Sequence, residues 1–226
     1  MTSPLPKSPA VFGTIHSPAA LRAALRLRAG DVDFLEVRVD HFVSDLSVLR
    51  RALPKFRAPL IITVRHPGEG GAAPLKPAQR MALYREFLPF AAFIDLELRS
   101  APAFRTLLNE AAQKQIGRIL SWHDFKTTPA LATLEKRWNA ARAFAPEIIK
   151  FATRTRMARH FATLLTFLAS RPGRPATSVM GMGEFGKISR LALARSGSIL
   201  NYGYLGELQV PGQWPARRLK ELLAEL

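Results

Sequence analysis

Three residues have the side chains of an amine nucleophile, a proton shuttle and an orienting acid. They are Lys150 in EIIKFATR (147–154), His123 in GRILSWHDF (117–125) and Glu69 in HPGEGG (66–71). Lysine is almost never fully buried without a partner, and Lys150 sits in an apolar run between Ile149 and Phe151. Loss of water there disfavours the ammonium form and brings a neutral amine within reach of a carbonyl carbon, the opening step of Schiff-base chemistry. An imidazole titrates near working pH without much tuning, so His123 suits a general acid–base beside an imine. Glu69, carried on a glycine-rich turn, suits the group that orients that imidazole and stabilises its charged form, as in any nucleophile–base–orienter set.

Other ionisable residues stand where a purely structural strand would be apolar. Glu36, Arg38 and Asp40 alternate in DFLEVRVD (33–40), so all three are expected to point the same way. Arg65 is expected to end the strand in PLIITVRH (59–66), just before HPGEGG, Asp95, Glu97 and Arg99 alternate in AFIDLELR (92–99), and Asp124 follows His123. Each has a plainer reading. Alternating acids and arginines can form a layer of salt bridges, a lone histidine can be a satisfied core group, and Gly70 and Gly71 can serve a solvated turn that needs positive φ.

These residues fall on a repeated pattern. Short apolar or β-branched runs recur at 11–15, 33–40, 59–66, 92–99, 117–125, 147–154, 176–183 and 198–206, with helical spacing between them. In PAALRAALRLRAG (18–30), Leu21, Leu25 and Ala29 share a face and Gly30 supplies the stop. In PAQRMALYREFLPF (77–90), Pro77 suits the first turn and Met81, Tyr84 and Leu88 share one side. PARRLKELLAEL (215–226) reads as a closing amphipathic helix. Eight strand–helix units predict a (β/α)8 TIM barrel, whose chemistry sits at the C-terminal ends of the strands. A doubly wound sheet would be expected to carry GxGxxG after its first strand, and GTIHSPAA (13–20) has none. No composition shift divides the chain, so residues 1–226 read as a single barrel domain.

Composition narrows the class further. Hydrophobic residues make up 48% and charged residues 22% of the 226, an ordinary globular balance. No apolar run approaches the roughly 18 residues that span a bilayer, and Met1 to Ala10 lacks the apolar region of a secretory signal. With no cysteine there is no disulfide framework and no thiolate for zinc. A cytoplasmic protein without a membrane partner is the expectation. Lysine and arginine number 33 against 17 acids, a net charge of +16 that attracts anions. The arginines are scattered, with no contiguous basic block interleaved with aromatics, so a nucleic-acid partner is not expected.

Seven segments, in order, resemble the type I 3-dehydroquinate dehydratases: FLEVRVD (34–40), ITVRHPGEGG (62–71), FIDLEL (93–98), SWHDFKTTP (121–129), IIKFA (148–152), MGMGEFGKISR (180–190) and VPGQW (210–214). The resemblance implies a lyase that removes water from 3-dehydroquinate to give 3-dehydroshikimate, the third step of the shikimate pathway, with no metal and no cofactor. By matching position, Lys150 condenses with the substrate ketone, His123 removes a proton from the neighbouring carbon and later protonates the departing hydroxyl in a syn elimination, and Glu69 pairs with His123. Glu36, Arg38 and Arg65 match substrate-binding positions, Arg190 matches the arginine that holds the substrate carboxylate, and Gln213 matches a lid residue. Phe125, Met180 and Met182 match apolar walls. Members of the family often pair, so a homodimer is implied.

The chain departs from the family pattern at three places. Gln209 stands where serine is common and contacts substrate, Tyr202 stands where phenylalanine is common, and only about ten residues precede the first strand, so the barrel-plugging N-terminal hairpin is expected to be missing. Two other readings exist. A class I aldolase-type barrel acting on a phosphorylated sugar shares the lysine and would build a phosphate cup from glycines such as those of MGMGEFG. A basic nucleic-acid-binding barrel is motivated by the net charge alone.

Overall fold

A computed structural model describes Leu5 and residues 9–226. Eight strands run parallel: β1 (Ala10–Ile15), β2 (Phe34–Arg38), β3 (Leu60–Thr63), β4 (Ala91–Glu97), β5 (Gly117–Asp124), β6 (Ile148–Arg154), β7 (Ala176–Met182) and β8 (Leu200–Tyr204). Each is followed by a helix: α1 (Pro18–Ala24), α2 (Leu46–Ala52), α3 (Pro77–Phe87), α4 (Arg105–Gln113), α5 (Leu131–Arg142), α6 (Ala158–Ala169), α7 (Gly186–Arg195) and α8 (Ala216–Glu225). The ladder runs β7-β6-β5-β4-β3-β2-β1-β8. The seam between β7 and β8 is closed by sparser bonds, Ile199 N–H to Thr177 O at 3.3 Å and Ser178 Oγ to Leu200 O at 2.9 Å. The eight-fold barrel expected from the periodicity is what the chain forms.

Strand residues alternate between two interiors, as a period of two requires. One parity, including Val37, Ile62, Leu96, Leu120, Ile149 and Phe151, is buried in the layer between the strands and the helices. The other parity faces the barrel axis. Phe12, Ile61, Phe93, Ile119 and Ile148 fill its N-terminal half. Burial of each such side chain contributes about 1.5–3 kcal/mol, which leaves the axial positions nearer the strands' C-terminal ends free to carry polar groups. Leu5 packs against the inner apolar cluster. The expected absence of an N-terminal hairpin falls otherwise on residues outside those described.

Local boundaries differ from the sequence reading in instructive ways. α1 stops at Ala24, and Leu25, placed by periodicity on the buried face, is 46% exposed. From there the chain tightens, Arg26 N–H bonding Ala23 O and Leu27 N–H bonding Ala24 O, before Gly30 turns it at φ 94°. The buried face of α3 consists of Arg80, Leu83, Tyr84 and Phe87. Tyr84 and, just past the helix, Leu88 are buried as expected, Met81 packs only partly buried against the core, and Arg80 takes a core position that the apolar pattern did not foresee. Asp40 and Arg99 lie beyond their strands, in single 3-10 turns.

Candidate active site

Inward parity carries the ionisable residues to one end of the barrel. Lys150 follows Ile148 on the axial face of β6, Ser121 and His123 follow Ile119 on β5, and Asp95 follows Phe93 on β4. Ile149 and Phe151, the sequence neighbours expected to desolvate Lys150, belong to the outer core on the opposite face of the strand. The lysine is buried by the barrel interior, and it is not bare there. Nζ lies 2.6 Å from Asp95 Oδ2, 3.9 Å from Glu36 Oε1 and 4.2 Å from the centre of the Tyr202 ring. Asp95 is the counterion that the sequence reading left open between site and salt-bridge layer. Its other oxygen accepts from Arg65 Nη1 at 3.0 Å and Ser121 Oγ at 2.6 Å. Burial alone would raise the Asp95 carboxyl, but the Arg65 and Lys150 charges hold it well below the usual carboxylate range.

His123 and Glu69 meet as anticipated. Glu69 Oε2 is 3.0 Å from His123 Nδ1 and accepts from the His123 backbone N–H at 3.1 Å. Burial pushes the Glu69 carboxyl up to about 7, against the pull of Arg65. Burial, with the Arg65 and Lys150 charges, holds the His123 imidazole well below its ordinary range. Both causes favour the neutral form of the imidazole. When Glu69 is ionised, Nδ1–H donates to it and the Nε2 lone pair is left as the proton acceptor.

The loop that carries Glu69 is built by residues the chemistry does not name. Asp40 accepts from Arg38 Nε at 3.0 Å, from the Arg65 N–H at 3.1 Å and from the Ala72 N–H at 2.9 Å. Arg38 Nη2 donates at 2.8 Å to Gly70 O. Arg38 thus braces the loop as well as lining the cavity. Gly70 adopts φ 83°, as positive φ favours glycine. Gly71 does not share that conformation; a Cβ there would come 2.4 Å from Arg65 O, so close backbone approach excludes a side chain. Asp124 is also a loop organiser, Oδ1 accepting from the N–H groups of Lys126 and Thr127.

On the other side of the cavity, Arg190 projects from α7 and donates to Tyr202 O at 3.0 Å and Gly212 O at 3.1 Å. No carboxylate pairs with it among the described residues, and burial lowers its guanidinium to about 10. A buried cation held by two carbonyls and the Met180 thioether, with no counter-charge among the described residues, is poised for an incoming anion. Gln213 Oε1 accepts from the Val210 N–H at 3.2 Å, tightening the turn of the β8–α8 loop, while Gln209 Nε2 lies 3.5 Å from His41 Nε2. Two glycines of MGMGEFG are closely packed: a Cβ on Gly186 would come 2.6 Å from Gly212 Cα, and one on Gly181 2.3 Å from Ser189 Oγ, so Gly186 lets the β8–α8 loop approach α7.

A cavity of about 280 Å³ unites these groups, lined by Glu36, Arg38, Arg65, Glu69, His123, Phe125, Lys150, Met180, Met182, Arg190, Gln209 and Gln213, with Thr14 and Tyr202. The twelve residues expected to be catalytic or to contact substrate therefore line one space, whereas Asp40, Asp95, Glu97, Arg99 and Asp124, the other ionisable residues noted in the sequence, do not. Thr14, Asp95, Ser121 and Tyr202 are the additions that support it. Thr14 and Ser121 carry no signal beyond their inward parity.

The sequence profile of the type I 3-dehydroquinases matches residues 11–226. The 3-dehydroquinate dehydratase of Thermodesulfovibrio yellowstonii is 35% identical over 188 residues, covering 80% of each chain. That of Thermococcus onnurineus is 31% identical over 214 residues, covering 94% of this chain and 96% of its own. The crystal structure of the 3-dehydroquinate dehydratase from Aquifex aeolicus superposes with a TM-score of 0.82 at 27% identity, over 96% of this chain and 98% of that one. By fold and by sequence across the barrel, the chain belongs to the type I 3-dehydroquinase family.

Proposed function

We propose that this chain is a 3-dehydroquinate dehydratase in which Lys150, His123 and Glu69 carry the chemistry. The observation that carries this reading is the convergence of a buried, ion-paired lysine, a neutral histidine oriented by a glutamate, and a buried arginine without a carboxylate partner on one cavity.

Lys150, once its proton has left, adds through Nζ to the substrate ketone carbon, and the former carbonyl oxygen departs as water. The resulting cationic imine draws electrons from the adjacent carbon. His123 Nε2 removes a proton from that carbon, the electron pair moves toward the imine, and the hydroxyl one carbon further on leaves as the imidazolium returns the proton to it. Hydrolysis of the product imine consumes one water and frees the lysine, so the net change is loss of one water. Glu69 stabilises the imidazolium in between. Arg190 receives the substrate carboxylate through a planar, two-pronged donor. Glu36, Arg38 and Arg65 face the substrate hydroxyls, Gln209 and Gln213 close over it, and Phe125, Met180 and Met182 form its apolar walls. No step calls for a metal or a cofactor.

The working unit is read as one barrel domain, paired as a homodimer in the cytoplasm. Among the described residues, no helix is long and apolar enough to cross a membrane. Incubation with 3-dehydroquinate and sodium borohydride is expected to leave a reduced adduct on Lys150, located by peptide mass mapping, and Lys150→Ala is expected to abolish turnover. An unmodified Lys150, together with full turnover of Lys150→Ala, overturns the reading.

A further inference from the structure

The face of the Tyr202 ring has a position that the reaction as described does not use. Tyr202 lies on β8 with its side chain on the barrel axis, and Lys150 Nζ stands 4.2 Å from the ring centroid. The ring is fixed by its neighbours. Tyr202 pairs in register with Phe12 on β1, whose ring stacks on it at 5.2 Å, and Phe12 in turn stacks on Phe34 at 4.9 Å. Its backbone carbonyl is held by Arg190. The side chain is 4% exposed and its hydroxyl has no hydrogen-bond partner among the described residues.

We propose that Tyr202 is a further catalytic residue, whose ring face stabilises the positive charge on the Lys150 nitrogen through the imine stage of the reaction. The proposal rests on Lys150 being the imine-forming residue. Its physical basis is the number of N–H donors. An ammonium has three, one bonded to Asp95 at 2.6 Å and others available toward Glu36, whose carboxylate lies at 3.9 Å; a cationic imine has one. The hold of the surroundings on the nitrogen through its N–H groups therefore weakens as the imine forms, at the stage when the positive charge must be retained as the electron sink. An aromatic face attracts a cation through its quadrupole and needs no N–H to do so. Tyr202 supplies that attraction from 4.2 Å, in a buried site where such contacts are strongest. The phenol itself is no proton carrier here, because burial and the nearby carboxylates of Glu36 and Asp95 push its ionisation well above the ordinary range. The function lies in the ring.

The test replaces Tyr202 with phenylalanine and with phenylalanines carrying one, two and three ring fluorines, which drain the ring face with little change in shape. The full chain is then assayed for kcat and for the fraction trapped on Lys150 by borohydride in the presence of 3-dehydroquinate. Tyr202→Phe is expected to stay within about threefold of the parent, the trifluorinated ring to lose about tenfold in kcat, and the trapped fraction to fall in step with fluorination. Tyr202→Leu is expected to lose at least as much as the trifluorinated ring. A flat response across the fluorine series, or a Tyr202→Phe as impaired as Tyr202→Leu, overturns the proposal, with trapping on Lys150 intact. Trapping on a different residue instead overturns the assignment of Lys150 and this proposal with it. The phenylalanine series keeps the packing, so the readout does not depend on Tyr202→Leu folding.

Discussion

Asp95 Oδ2 and Lys150 Nζ lie 2.6 Å apart on the barrel axis, with the carboxylate fully buried and the lysine 3% exposed. The pair is one link of a chain: Asp95 also holds Arg65, and Arg65 reaches Glu97 at 3.1 Å and Glu36 at 3.7 Å. A buried charge without a partner is costly, so each member of the chain keeps its neighbour tolerable. Lys150 is thus held in an ion pair, with Asp95 as its nearest carboxylate.

Asp95→Asn removes the charge from this link while keeping its shape. Breaking one partner of a buried pair costs about 3–5 kcal/mol, with Glu36 left as a distant substitute for Lys150. Urea denaturation is expected to show a loss near the lower end of that range, and kcat a fall of more than tenfold. A variant of parental stability would mean that the ion pair contributes nothing net to the fold.

The Glu69–His123 pair sets a pH dependence with a definite sign. Glu69 titrates near 7, and only its ionised form supports the imidazolium that forms when His123 takes up a proton. Turnover is expected to rise with pH through about 7 and then level, while Glu69→Gln is slower and lacks that inflection. Stability moves the other way. A carboxyl raised above its unfolded value favours folding when protonated, so its contribution is lost as pH climbs through about 7. His123, lowered by burial, adds an opposite loss as pH falls through the ordinary imidazole range. A pH–rate profile of the two proteins decides the first point; an unchanged inflection in Glu69→Gln would assign it elsewhere.

The barrel was legible because its signals are local. Alternation and turn residues repeat within each unit, and all eight predicted runs overlap the observed strands. Lys150, His123 and Glu69 were legible because their types are rare in such places. Arg80 was not: a charged residue on a helix reads as solvent-facing until Glu97 and Ser100, 17 and 20 residues away, are seen to enclose it. Asp95 stayed ambiguous for a related reason. A strand shows which face an acid takes, but the lysine it pairs with lies 55 residues on. Leu25 misled in the opposite direction, since helical spacing says nothing of where the turn will stop.

Arg190→Lys tests recognition of the substrate anion. The guanidinium is anchored by two carbonyls and presents a flat donor edge, which an ammonium cannot imitate. KM for 3-dehydroquinate is expected to rise by one to two orders of magnitude, about 1.4–3 kcal/mol, with a smaller change in kcat. Steady-state kinetics check this, and an unaltered KM would move the carboxylate site to another cation.

The contact between Gln209 and His41 is long at 3.5 Å and joins the β8–α8 loop to the turn after β2. Gln209→Ser shortens the side chain beyond reach of His41. Loss of one weak contact is expected to raise KM about threefold and leave the rate of Lys150 trapping at saturating substrate unchanged. A fall in that rate would show that Gln209 acts on the chemistry as well as on closure.

Arg80 joins the helical shell to the buried ionic chain of Glu97, Arg65 and Asp95. It is 1% exposed, with Nη2 2.5 Å from Glu97 Oε2, Nη1 3.0 Å from Ser100 Oγ and Nε 2.9 Å from Val64 O, and its guanidinium lies over the Phe104 ring at 5.0 Å. The other Glu97 oxygen accepts from Arg65 Nη1 and from the His66 N–H, at the start of the loop that carries Glu69. Arg80→Met strands half of the Glu97 charge, and a loss of about 3 kcal/mol in urea denaturation is expected. Adding Glu97→Gln to Arg80→Met should cost less than the same change in the parent, because the charge left without its partner is then gone. Coupling of at least about 1 kcal/mol is expected from the double-mutant cycle. Additivity within about 0.5 kcal/mol would show the two residues to be energetically independent, and their contact to be packing alone.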